Sequence, residues 1–136
     1  MTQEEKSLVL QDLCERSLHG VMCDRLGQAK KLLSVSPAKE YCIELDNGEY
    51  APSEYKVEDI KPYLRPMSSA TEKEMEEFEE LFIGYSISRD RNCIYRSSRG
   101  DLNLGFIDWL ITHQFDHRGL IPMGLALPAT EGMYKF

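Results

Sequence analysis

Gly27, Pro37, Gly48, Pro52, Pro62 and Pro66 punctuate residues 21–66, so this part of the chain has room only for short strands and tight turns. Residues 21–26 read as a strand followed by a turn at Gly27, and residues 31–35 as a second strand closed by Pro37. Residues 41–45 alternate, with Tyr41, Ile43 and Leu45 on one face. Asp46-Asn47-Gly48 supplies the positive φ angles of a tight hairpin, which sends residues 49–51 back as a partner strand ending at Pro52. Residues 57–60 lead into 61–66, where Pro62 cannot donate to a central ladder and so marks an edge strand or a short turn. Strands this short and this closely joined predict a small curled sheet, with an SH3-like barrel as the arrangement that would remove its exposed edges.

Helix signals flank this region. Thr2 and Glu5 have capping-box spacing, and Val9, Leu10, Leu13 and Cys14 supply one apolar face before His19-Gly20 ends the helix. Ser69 with Glu72, or Thr71 with Glu74, can cap a second helix that ends at Gly84. Its stripe is Met75, Phe78, Leu81 and Phe82, and its other face carries Glu72, Glu74, Glu76, Glu77, Glu79 and Glu80. That acidic face is either a solubilising surface or a contact for a basic groove on a partner. Residues 85–89 and 93–96 predict a hairpin turning at Asp90-Arg91-Asn92. Asp101 or Asn103 can cap a last helix with Leu104, Ile107, Leu110 and Ile111 inward and Trp109 beside them. The expected class is α+β: one domain over 1–136, with a barrel-like half (1–66) and a helix–hairpin–helix half with a docked tail (67–136).

A chain of 136 residues can bury a core without metals or disulfides. The net charge of −7 favours solubility and works against non-specific binding to nucleic acid or an anionic membrane. No apolar run is long enough to cross a bilayer, and the opening residues lack the order of a signal peptide, so the expected compartment is the cytoplasm. Cys14, Cys23, Cys42 and Cys93 contain no CxxC pair and are expected as free, buried thiols.

Lys61-Pro-Tyr-Leu-Arg-Pro-Met-Ser-Ser69 before an acidic helix is one distinctive segment. Phe106-Ile-Asp-Trp-Leu110, Phe115-Asp-His-Arg-Gly-Leu-Ile121 and Gly124-Leu-Ala126 make the other, and Asp12-Leu-Cys14 lies in the opening helix. In these segments and their order the chain resembles a group of short uncharacterised proteins encoded by gut bacteria and their prophages. The resemblance implies a phage or mobile-element setting and supplies no catalytic residues. The group usually has tyrosine where this chain has His117.

Four constellations could carry function. Tyr41, Tyr50, Tyr55 and Tyr63 could line a peptide groove on the strand-rich half, or serve as core and rim packing. Arg89, Arg91, Arg96 and Arg99 with Tyr85 and Tyr95 could contact phosphates and stack bases, or form a solvated hairpin facing the acidic helix. His113 and His117, with Asp116, could hold a metal if they shared a helix face, though HxxxH lacks the glutamate of HExxH and a zinc site needs further ligands. The bland alternative is a polar helix end, where cationic imidazoles suit the carbonyl dipole. Asp116 and Arg118 could pair with each other, or fix the turn into the tail with Arg118 capping helix carbonyls. No GxSxG, P-loop or dinucleotide fingerprint is present. The leading expectation is a non-enzymatic protein-interaction module without cofactor. A nucleic-acid accessory protein and a metal-dependent enzyme are the alternatives.

Overall fold

Thr2 caps the first helix, α1 (Gln3–Arg16): its hydroxyl accepts from Glu5 N and the Glu5 carboxylate accepts from Thr2 N. The computed structural model describes residues 1–48, 53–96 and 105–135. Val9 and Leu13 of α1 are buried as the periodicity predicts, but Cys14 is exposed and Asp12 and Arg16 are fully buried instead.

The strands are β1 (Met22–Arg25), β2 (Gln28–Val35), β3 (Ile43–Leu45), β4 (Ser53–Tyr55), β5 (Lys61–Leu64) and, from the tail, β8 (Leu127–Pro128). They form one sheet in the order β4-β3-β2-β1-β5-β8. Neighbours are antiparallel except β5 and β8, which run parallel. A one-turn 3-10 helix, Val57–Asp59, precedes β5. The sheet is not closed: among the described residues no ladder joins β4 to β8. β2 starts three residues earlier than its apolar run because Leu26-Gly27 makes a two-residue turn that pairs Arg25 with Gln28. β5 is not the edge strand or turn expected from Pro62, since β1 and β8 flank it; the proline is accommodated because it lies opposite Cys23 while β8 joins only from Tyr63 onward. The predicted strand at 49–51 lies outside the described residues.

After a second 3-10 turn, Met67–Ser69, comes α2 (Glu72–Leu81). Of its two candidate capping boxes the structure uses Thr71–Glu74, because the Ser69 hydroxyl is taken by the carbonyl of Pro66. Phe78 is buried and Met75 and Phe82 pack on the core, whereas Leu81 is exposed. β6 (Tyr85–Ser88) and β7 (Cys93–Arg96) form the expected hairpin. The last helix is α3 (Gly105–Thr112), whose expected caps and Leu104 lie outside the described residues.

Two cores result. One gathers α1 and the larger sheet, including Val9, Leu13, Leu32, Ile43 and Leu64, and takes Leu120, Leu125 and Ala126 from the tail. The other holds Phe78, Tyr85, Ile87, Trp109, Leu110 and Phe115. No described helix is long and apolar enough to cross a membrane. All four cysteines are free, but only Cys23 and Cys42 are buried. Burial pushes the Cys23 thiol up to about 12, assisted by the nearby carboxylates of Asp12 and Asp24.

Candidate functional site

The two segments that carry the sequence resemblance are stitched together. Arg65 N donates to Gln114 O at 2.7 Å, and Asp116 N donates to Arg65 O at 2.9 Å, so Arg65 and Phe115 form a parallel bridge. The Arg65 guanidinium lies 4.3 Å from the Phe115 ring centroid and grips both oxygens of Glu74 at 2.7 and 2.8 Å. It also donates to the carbonyls of His113 and Ser69. Burial raises the Glu74 carboxyl pKa, but the hydrogen bonds and charge of Arg65, with the cap from Thr71, outweigh it and leave that pKa below the ordinary carboxylate value. Glu74 is therefore half-buried structure and not part of a solvated acidic face.

Beside this ion pair lies a cavity of about 640 Å³ between α2 and the tail. Arg65, Glu74, Glu77 and His113 line one side, and Thr130, Glu131 and Tyr134 the other. His113 stacks on Trp109, with ring centroids 3.9 Å apart. Its Nδ1 lies 2.8 Å from the Trp109 carbonyl, which can only accept, so Nδ1 carries the proton. Trp109 Nε1 donates to Glu77 at 3.0 Å. The Tyr134 hydroxyl donates to Tyr63 O at 2.7 Å and accepts from Met22 N at 2.8 Å, tying the tail to the sheet. Burial raises the Tyr134 pKa well above the ordinary phenol range. The Glu131 carboxylate is exposed at the rim.

A second polar cluster joins α1 to the turn after α3. Asp12 accepts from Arg16 Nε at 2.9 Å and from Arg118 at 2.7 Å, and both Asp12 and Arg16 are fully buried. Arg16 also donates to Phe115 O at 2.6 Å and to Gln114 Oε1 at 3.4 Å. Its Nη2 lies 3.2 Å from His117 Nδ1. An arginine only donates, so Nδ1 holds a lone pair and the imidazole is neutral. Burial lowers the His117 pKa, and the charges of Arg16 and Arg118 lower it further. The cationic helix-end reading of this histidine therefore does not hold.

The predicted metal constellation does not assemble. α3 ends at Thr112 and Gln114 takes a φ of 61°, so His113 and His117 share no helix face. His113 lines the cavity beside α2, while His117 faces Arg16. Both oxygens of Asp116 accept backbone N–H groups, from Leu120 at 2.8 Å and Ile121 at 2.9 Å. Among the described residues no group of three His, Cys, Asp or Glu is placed to hold a metal ion. Asp116 and Arg118 do not pair: Asp116 fixes the turn, and Arg118 reaches the side chains of Asp12 and Glu15 on α1 instead of helix carbonyls.

Tyr41, Tyr55 and Tyr63 do not line the cavity beside α2. Tyr41 is exposed with Lys56 over its ring, and Tyr55 has Arg25 over its ring. Tyr63 donates to Asp24, and β3, β2 and β1 separate its strand from that of Tyr55. Tyr50 lies outside the described residues. In the hairpin, Tyr95 faces Ser86 and Arg96 faces Tyr85, so strand alternation puts Tyr95 and Arg96 on opposite faces. Arg91 is exposed in the turn, Arg89 is half-buried, and Arg99 lies outside the described residues. Sequence reasoning missed Arg65, Glu74, Glu77 and Tyr134 as site residues. The reuse of Glu74 in a capping box next to an arginine-bearing segment was the available signal.

No protein-family model, curated protein or solved structure matches this chain.

Proposed function

We propose that this chain is a non-enzymatic protein-interaction module that takes a basic, extended segment of a partner protein into the cavity between α2 and the tail. The observation that carries this reading is the state of the polar groups around that cavity. Arg65 and Glu74 are committed to each other, and Tyr134 is committed to the sheet. Capacity to accept remains on Glu77, engaged by a single N–H, and on Glu131, two carboxylates against the one further lining cation among the described residues, Lys73. Glu76, Glu79 and Glu80 of α2 extend the same sign of potential beside it. The volume suits one or two side chains of a docked peptide.

In this reading β1 to β5 form an SH3-like half. The return of β5 to β1 directly after a 3-10 turn supports it. The sequence resemblance supports a phage or mobile-element setting, and four free thiols support a cytoplasmic one.

Titration of the ¹⁵N-labelled chain with an octapeptide of alternating lysine and serine tests the proposal. Amide shifts should concentrate at residues 71–77 and 129–134 and weaken steeply with salt. The alternating glutamate–serine peptide should leave them unmoved. Glu77→Lys with Glu131→Lys should abolish the response. Shifts spread over the whole acidic surface, or unchanged by the charge reversal, would refute it.

A further inference from the structure

A second cavity, of about 520 Å³, opens between the β6–β7 turn, α3 and the turn after α3. We propose that it binds a small apolar molecule bearing a carboxylate. Its walls are half hydrocarbon: Ile94, Phe106, Ile107, Leu110 and Pro122 line it. Its size falls within the roughly 300–1,000 Å³ usual for small-molecule sites.

Its polar groups determine the chemistry of the ligand. Asp116 lines the cavity and is held on its turn by one backbone N–H to each oxygen, so the ligand's carboxylate must sit at the Arg91 end, away from it. Arg118 also lines it, with its guanidinium engaged by Asp12 and Glu15. Asn92 uses its Oδ1 to accept from Ser68 N, which pins the hairpin turn and leaves the amide N–H groups available. Arg91 makes no ion pair among the described residues: only its backbone N–H is engaged, by Ser88 Oγ. His117 Nε2 carries the ring proton, because Nδ1 accepts from Arg16, and this buried N–H has no partner among the described residues. The nitrogen groups with capacity left are thus all donors: an exposed guanidinium, an amide and an imidazole N–H. An acceptor with negative charge satisfies them, and its apolar body covers the hydrocarbon wall. A neutral alcohol would leave Arg91 without its counter-charge, and an amine would add a donor to donors.

Octanoate, octanol and octylamine serve as probes on the ¹⁵N-labelled chain. Octanoate should give saturable amide shifts at residues 91–94, 106–110 and 116–119. Octanol should bind about fivefold more weakly, and octylamine should not saturate. Arg91→Ala, a change in an exposed turn, should weaken octanoate about fivefold and leave octanol unchanged. His117→Phe should weaken octanoate as well. Absence of saturable shifts with octanoate, equal binding of octanol, or indifference of octanoate to Arg91→Ala would overturn the proposal.

Discussion

Replacing Asp12 by alanine isolates the cost of a buried charge in this fold. Arg16 is fully buried, and Asp12 is its sole ion-pair partner among the described residues. The variant leaves Arg16 its neutral acceptors, Phe115 O and Gln114 Oε1, but no counter-ion. Removing one partner of a buried pair costs about 3–5 kcal/mol, a large share of the roughly 5–15 kcal/mol that holds a typical domain. For a chain of this size that corresponds to a melting point lower by roughly 10–17 °C. Arg118→Ala should cost less, about 1 kcal/mol, because Asp12 keeps Arg16 as its counter-ion and the released Glu15 is 34% exposed. Asp12→Ala combined with Arg16→Met removes the stranded charge and should recover at least half of the loss. Urea unfolding followed by the fluorescence of the single, buried Trp109 measures all three. A loss under about 1 kcal/mol for Asp12→Ala, or no recovery in the double variant, would refute the reasoning.

Three further outcomes follow from particular groups. The folded chain keeps His117 neutral into acid, whereas an unfolded imidazole titrates near 6.5, so stability should fall as pH drops from 7 toward 5; His117→Phe should flatten that slope in pH-dependent melting. Exposed Cys14 should react with a thiol reagent in the native state, while Cys23, buried and with its pKa pushed up to about 12, should react only on unfolding; equal rates in a mass-spectrometric time course would refute this. Leu26 holds a φ of 53° at 83% exposure, where asparagine is tolerated better, so Leu26→Asn should stabilise by about 0.5–1 kcal/mol in the same urea assay, and a loss would count against the strain.

The helices and the β6–β7 hairpin were legible because their signals are local. Thr2 with Glu5 and Thr71 with Glu74 cap within one turn, and Asp90-Arg91-Asn92 bends within three residues. Pro62 suggested an edge strand or a short turn, but β5 has a neighbour on each side, because nothing local announced that Leu127–Pro128 would return to lie parallel beside the residues after the proline. The stripe on α2 overreached at Leu81, which at 3.6 residues per turn lies beyond the edge of the face shared by Met75, Phe78 and Phe82. The polar clusters were illegible for a different reason. Arg16 meets Gln114 and Phe115 across 98 and 99 residues, and Arg118 meets Asp12 across 106. Helical periodicity assigned Cys14 to the core face and could not indicate that Asp12 and Arg16 would be buried in its place. Spacing likewise left open a shared helix face for His113 and His117, and the left-handed residue between them, Gln114, turns them apart.

The reach of Arg16 across the chain bears on how the molecule is made. During synthesis α1 leaves the ribosome nearly a hundred residues before the carbonyl and amide that receive its guanidinium. Until residues 114–118 emerge, that end of the helix stays open to water, because closing over an ungripped guanidinium is unfavourable. The helix is thus translated well before the segment that seals it. A nascent chain stalled near residue 100 should still expose Arg16 to solvent and to proteases that cut at arginine.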